Sequence, residues 1–319
     1  MEKIAKRKVV LIGTGFVGMS MAYSLINHRG LDELVLIDVN KEKAEGEAMD
    51  LSHGLPYALN SKIDIRAGDY HECKGASVIV VTAGIAQKAG QTRLELTAIN
   101  AKIAKDIAIN IKESGFKGVI VVASNPVDII TYVIQKVTGL PTNRVFGSGT
   151  MLDTARLRYM IGEYLDINST NVHAYIMGEH GDSSFVSWTN TYVGSKSILK
   201  LIEEKGKDLA DLLDIYQNVQ QAAYQIIEKK KATYYGIGLA LSRLVAAILN
   251  DEDLILAVAA KQNGEYGHCG LYIGVPAVIG SSGVKEIIKL PLNKVDQAKF
   301  DTSCNNLKEI IKEVVEPIL

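Results

Sequence analysis

The chemistry available to this chain sits in a few polar residues set among glycines and apolar runs. Gly178-Glu179-His180-Gly181-Asp182 places an imidazole between glycines at the expected end of a strand. Histidine exchanges a proton near neutral pH, and the flanking glycines let backbone come close to a ligand. A histidine is more often structural than catalytic, so the company of this one matters. Leu152-Asp153-Thr154-Ala155-Arg156 holds a carboxylate and a guanidinium three residues apart on an expected helix, on one face. One reading is an intrahelical ion pair, worth about 0.5 kcal/mol or less. The other divides the work. Asp153 holds the imidazole of His180 and favours its protonated form, while Arg156 grips a carboxylate with its forked donors. Ala83 to Arg93 leaves the C-terminal end of a strand and carries two glycines. It reads either as a surface loop or as a mobile lid whose Arg93 stabilises charge growing on a carbonyl oxygen.

A second group of residues suits a phosphate-bearing ligand. Gly13-Thr14-Gly15-Phe16-Val17-Gly18 is a G-x-G-x-x-G run that follows a strand and opens a helix. In that setting Gly13 permits a tight turn, Gly15 lets backbone approach a pyrophosphate, and Gly18 lets the helix lie close to the sheet. The helix N-terminus adds free N–H groups and the positive end of its dipole. Asp38 stands 20 residues after Gly18, at the end of the next strand. A carboxylate there accepts hydrogen bonds from a ribose diol and repels a 2′-phosphate, which favours NAD over NADP.

These residues need elements to hold them. Continuous apolar runs at Lys8–Ile12, Glu33–Asp38, Ser77–Thr82 and Gly118–Ala123 read as strands buried on both faces. Helical stretches alternate with them, at about Val17–His28 and Arg93–Lys112, which predicts a parallel sheet with helices on both sides. After Gly149 the pattern changes. A helix is expected over Thr150–Tyr164, a strand over Asn171–Met177, and helix over Lys207–Leu249 with a break near Tyr234-Tyr235-Gly236. Paired strands are expected at Asp253–Lys261 and Leu271–Ile279, and a terminal helix carries Leu307, Ile310, Ile311, Val314, Val315 and Ile318 on one face. The fold class is therefore α/β: a doubly wound parallel Rossmann sheet in residues 1–148, followed by an α+β substrate domain in residues 149–319.

Composition excludes several other classes. The net charge of −1 lacks the basic footprint of a nucleic-acid binder or a polybasic membrane patch. No apolar run is long enough to span a bilayer. Met1 to Lys8 is charged with no apolar h-region, so no secretory signal is read there. Cys73, Cys269 and Cys304 are odd in number and lack metal-ligand spacing. No metal is expected, and reduced thiols in a cytoplasmic protein are.

Taken together the motifs resemble those of the L-lactate dehydrogenases, within the lactate/malate dehydrogenase superfamily, along essentially the whole chain. The residues that carry the resemblance are the Gly13–Gly18 run, Leu36-Ile37-Asp38, Thr82-Ala83-Gly84, Gln87–Arg93, Ser124-Asn125-Pro126-Val127-Asp128, Leu152–Arg156, Gly178–Asp182 and Ala232-Thr233-Tyr234-Tyr235-Gly236. The resemblance implies an NAD-dependent enzyme of glycolytic fermentation that interconverts pyruvate and L-lactate. His180 would be the acid/base, Asp153 its partner, Arg156 the carboxylate clamp and Arg93 the lid arginine. Asn125 would border the nicotinamide and bond the substrate oxygen, and Thr233 and Ile237 would line the substrate and nicotinamide pockets. Gly13, Gly15, Phe16, Val17, Gly18, Asp38, Thr82, Ala83 and Gly84 would hold the cofactor. Malate-specific relatives carry an arginine where this chain has Gln87, so a second substrate carboxylate would be desolvated here without a counter-charge. The bacterial members activated by fructose 1,6-bisphosphate hold its phosphates with residues matching Arg158 and His173, and a homotetramer is implied.

Three other readings compete. Malate dehydrogenase differs only in substrate. A short-chain dehydrogenase is suggested by the Tyr132-x-x-x-Lys136 pair, but the glycine spacing is wrong for it. A non-catalytic NAD-binding protein on this fold is the third, and it would be free to lose His180, Asp153, Arg156 or Arg93, all of which are present.

Overall fold

The computed structural model describes residues 7–59, 61–85 and 92–319, and only the backbone of Arg93. Its first half is built on six parallel strands: β1 (Lys8–Ile12), β2 (Glu33–Ile37), β3 (Asp64–Ala67), β4 (Val78–Val81), β5 (Val119–Val122) and β6 (Val145–Gly147). They lie in the order β3-β2-β1-β4-β5-β6. The order reverses between β1 and β4, which opens a crevice at the C-terminal ends of those strands. Every residue of β4 and β5 is buried, as their unbroken Val/Ile sequences require. Four helices cross between the strands: α1 (Phe16–Leu25), α2 (Lys41–Gly54), α3 (Arg93–Glu113) and α4 (Val127–Thr138). Thr92 and Glu95 cap α3 reciprocally. Its buried stripe runs Thr97, Asn100, Ala101, Ala104, Ile107, Ala108, Ile111, at the three- and four-residue spacing of a helix face.

The second half opens with α5 (Met151–Leu165). Short strands follow: β7 (Val172–His173), β8 (Ile176–Met177), β9 (Phe185–Val186), β10 (Tyr192–Val193) and β11 (Lys196–Ser197). Then come α6 (Ile198–Glu204), α7 (Leu209–Lys230) and α8 (Tyr235–Leu249), the antiparallel strands β12 (Leu254–Asn263), β13 (Cys269–Gly280) and β14 (Gly283–Ile287), and α9 (Lys294–Ile310). Ala259 of β12 pairs antiparallel with Gly147 of β6, so β12, β13 and β14 extend the parallel sheet to nine strands. The main core runs across this whole sheet, from Val9 to Val315. A second core, with Leu157, Ile161, Ile176, Val186, Ile198 and Leu212, lies where α5, α6 and α7 cover the small strands.

The structure departs from the sequence reading in three places. Asn171–Met177 is not one strand. β7 pairs with β10 and β8 with β9, and between them the Ala174 carbonyl accepts from Arg158 Nε at 3.0 Å. The terminal helix begins well before Leu307, at Lys294, where the Asn293 side chain caps the backbone N–H groups of Val295 and Asp296. Its expected face is buried at Leu307, Ile311 and Val315. The strands β3, β6 and β14 carry too few apolar residues to be read from sequence. No helix among the described residues is long and apolar enough to cross a membrane. The three cysteines are free, and burial pushes the Cys73 and Cys304 thiols up to about 12.

Candidate active site

The glycine run occupies the β1–α1 turn, and the structure gives each glycine a separate task. Gly13 has φ +103° and its N–H donates to Ile37 O at 2.8 Å. A Cβ on it would lie 2.6 Å from the Ala83 backbone nitrogen, so the turn presses directly on the strand-end run Thr82-Ala83-Gly84. A Cβ on Gly18 would lie 2.2 Å from Gly13 O, which fixes how closely α1 can approach. Gly15 has open space where its Cβ would be, and it begins α1 without a side-chain cap. The first N–H groups of that helix are thus left facing a cradle. Asp38, at the end of β2, accepts from Thr14 N at 2.7 Å, Thr14 Oγ at 2.9 Å and Asn40 N at 3.0 Å. Burial raises its pKa, but these bonds and Lys43 outweigh it and hold the carboxyl below the ordinary aspartate range.

A cleft of about 930 Å³ lies at the C-terminal edge of the sheet. Val17, Thr82, Gly84, Asn125, Asp153, Arg156 and His180 all line it, with α7 forming the opposite wall through Tyr216 and Tyr224. One carboxylate organises its polar end. Asp153 Oδ2 meets His180 Nδ1 at 2.7 Å, and Asp153 Oδ1 accepts from Arg156 Nη1 at 3.0 Å. A carboxylate cannot donate, so Nδ1 carries the proton of that bond and Nε2 is left as the exchanging nitrogen. The His180 side chain is 32% exposed at the wall of the cleft. Burial lowers its pKa, but the bond and charge of Asp153, with Asp128 behind, outweigh burial and raise it. Asp153 is affected in the opposite sense. Burial raises it, while His180 and Arg156 hold it below the usual value. Both readings of the Asp153–Arg156 spacing are realised at once, because the intrahelical pair is also the histidine's support.

The family models of the lactate/malate dehydrogenases match both halves, the NAD-binding domain over residues 7–147 and the alpha/beta C-terminal domain over residues 150–318. The chain belongs to the lactate/malate dehydrogenase family. An L-lactate dehydrogenase 2 of Lactococcus lactis subsp. lactis is 50% identical over 313 residues, 98% of this chain and 99% of that protein. A lactate dehydrogenase from a Medee basin deep-sea metagenome library superposes with a TM-score of 0.95 at 51% identity, covering 98% of this chain and 99% of that one. The minor L-lactate dehydrogenase of Enterococcus mundtii, in its ligand-bound form, does so at 0.95 and 47%, with coverage of 98% and 99%. Family membership makes this an NAD-dependent oxidoreductase, and the open cradle at Gly15, the uncapped start of α1 and the ionised Asp38 fit that dinucleotide.

The remaining residues singled out from the sequence fall in several places. Phe16 is exposed and stacks on Tyr234, ring centroids 5.1 Å apart. Ile237, in the first turn of α8, packs half-buried on the main core. Thr233 is half-buried in the link before α8 and is not among the residues lining the cleft. Arg158 points away from the cleft, its guanidinium 4.9 Å from the Tyr175 ring and its Nε on Ala174, the neighbour of the exposed His173. Tyr132 and Lys136 lie on α4, with the Lys136 ammonium over the Tyr132 ring. Gln87 and the Arg93 side chain lie outside the described residues. Among the described residues no cluster suited to a metal ion occurs.

Sequence reasoning gave no role to four residues that hold the site. Asp128 Oδ2 accepts from His180 N at 2.9 Å. Asn100 bonds the backbone on two sides of the cleft. Tyr216 OH donates to Ser184 O, tying α7 to the turn after His180. Ser303 Oγ accepts from Glu179 N at 2.6 Å. Two of them carried a signal: Asp128 as the last residue of the Ser124–Asp128 motif, and Asn100 as a polar residue, with Thr97, on the mostly apolar stripe of α3.

Proposed function

We propose that the chain is an NAD-dependent L-lactate dehydrogenase, and that the single Asp153 carboxylate holding both His180 and Arg156 in the cleft is what carries the reading. With one Nη1 hydrogen on Asp153, the other donors of Arg156 serve the carboxylate of pyruvate. Bound NADH supplies the hydride that the carbonyl carbon takes. His180 gives the proton to the carbonyl oxygen in that direction and takes it back when lactate is oxidised. Asn125 bonds the same oxygen, Arg93 stabilises its growing charge, and Thr233 and Ile237 border the substrate and nicotinamide. Gln87, being neutral, accepts a methyl group and rejects a second carboxylate. Domains meeting at residues 148 and 149 put the cofactor on one side of the cleft and the acid/base on the other. The order of strand, glycine turn and ionised Asp38 supports NAD over NADP.

Three finer readings accompany this. Arg158, which donates to the Ala174 carbonyl, and His173, the residue before Ala174, take the phosphates of fructose 1,6-bisphosphate. The enzyme works as a homotetramer. It acts in the cytoplasm at the fermentative end of glycolysis. NADH oxidation with pyruvate, oxaloacetate and longer 2-oxo acids, each with and without fructose 1,6-bisphosphate, tests these readings. Pyruvate is expected to give the highest kcat/KM and the bisphosphate to raise it. A higher value for oxaloacetate would replace the lactate reading with malate, and indifference to the bisphosphate would remove the effector site.

A further inference from the structure

Asn100 sits on α3, and it is 3% exposed. Its amide is spent on backbone from two other segments. Oδ1 accepts from Ile85 N at 3.0 Å, and Nδ2 donates to Ile85 O at 3.2 Å and to Asn125 O at 2.8 Å. Ile85 follows β4 and Asn125 follows β5, two neighbouring strands that both end at the cleft. The pair of bonds to Ile85 matches both peptide groups of one residue, as a neighbouring strand would. The third bond crosses to the segment that presents Asn125. Three residues further on, Asp128 holds His180 N. A Cβ on Gly84 would already be 3.4 Å from Asn100 Oδ1, so the fit on that side is close.

We infer that Asn100 is a positioning residue for the reaction: it ties the ends of β4 and β5 together and so fixes the backbone from which Asn125 reaches the substrate. This deepens the dehydrogenase reading and rests on it for the role of Asn125. The residue type follows from the partners. One N–H and two carbonyls must be met from a single planar group, and the asparagine amide supplies one acceptor and two donors. A carboxylate of the same shape would satisfy Ile85 N, but would face the two carbonyls with no hydrogen to give. Burial and those carbonyls would raise its pKa above the ordinary aspartate range. Once protonated, it regains a donor for Asn125 O.

That property gives a readout that general damage to the fold would not produce. Asn100→Asp, Asn100→Ala and the wild type are compared with the 2-oxo acid that the wild type reduces fastest, from about pH 5.5 to about pH 8.5, bracketing the raised carboxyl. At the alkaline end both variants are expected to lose about tenfold to about a hundredfold in kcat/KM, the range for an unmet buried polar group. Direct NADH affinity, read by fluorescence, is expected to fall less than kcat/KM, because Asp38 and the start of α1 make no hydrogen bond to Asn100. As pH falls, the ratio of Asn100→Asp to wild type is expected to rise, while the ratio for Asn100→Ala stays flat. Among the described residues the other ionisable groups of the cleft are His180, Asp153, Asp182, Arg156, Tyr216 and Tyr224, with Asp128 behind them; these and Arg93 are shared with the wild type and cancel in the ratio. Circular dichroism of Asn100→Asp over the same pH range, expected to stay unchanged, separates loss of the tie from unfolding driven by the buried carboxylate. An Asn100→Asp ratio independent of pH, or near-full activity of Asn100→Ala, overturns the role. Failure of the wild type to reduce any 2-oxo acid overturns the dehydrogenase reading, and with it this role for Asn100.

Discussion

At the scale of single residues the cleft is an exercise in sharing. Asp153 divides its two oxygens between an imidazole and a guanidinium, and each partner makes the other's placement possible. His180 binds its proton more tightly in the folded chain than free histidine does, so pyruvate reduction is expected to hold to higher pH than a free imidazole would allow. It should then fall as pH rises through the raised pKa, since the protonated form is the one consumed. Asp153→Asn removes the larger of the two raising charges. The falling limb of the kcat/KM profile is then expected at lower pH, and a limb left in place would contradict the assignment. Asp128→Asn keeps an acceptor for His180 N and removes only charge, so a smaller shift in the same direction is expected. Arg156→Lys leaves a charge but no fork. KM for pyruvate is expected to rise by at least about tenfold, as loss of a charged hydrogen bond implies, with NADH affinity unchanged in direct titration.

The helices and strands explain why those side chains meet. α5 carries Asp153 and Arg156, and β8 leads into the turn that bears His180. Two threonines lock that strand, one just before α5 and one on it: Thr150 Oγ donates to Ile176 O at 2.6 Å, and Thr154 Oγ accepts from Ile176 N at 3.0 Å. Thr154→Val is nearly isosteric but leaves a buried N–H unmet. A loss of about 1–3 kcal/mol in urea unfolding is expected, and unchanged stability would show that the N–H finds another partner. The spacing of Asp153 and Arg156 was legible in the sequence because a helix repeats locally. The long Val/Ile runs of β1, β2, β4 and β5 were legible because a strand covered on both faces tolerates no polar residue. Asn100, Asp128, Tyr216 and Ser303 were not assigned roles, because each acts on backbone that arrives from a distant part of the chain. The two short strands β7 and β8 escaped for the same reason, since their partners β10 and β9 are set by folding rather than by local pattern.

On the scale of the whole molecule, the end of the chain completes the site. Ser303 of α9 is fully buried, holds Glu179 N and meets Ser183 Oγ at 2.9 Å. The same helix buries Phe300, Cys304 and Leu307. Each large apolar side chain so covered contributes about 1.5–3 kcal/mol, against a total of about 5–15 kcal/mol for a folded chain. Deleting residues 294–319 is therefore expected to abolish cooperative thermal unfolding by circular dichroism, and a sharp transition in the truncated chain would refute this. Ser303→Ala is a gentler probe, expected to lower kcat more than Tm.

The nine-stranded sheet passes from β6 to β12 without a break, and one core fills both sides of it. Among the described residues such a frame offers no hinge on which two halves can swing like jaws. Traffic of small acids in and out of the interior is left to the rim, so small-angle scattering should record the same radius of gyration with and without a bound substrate analogue.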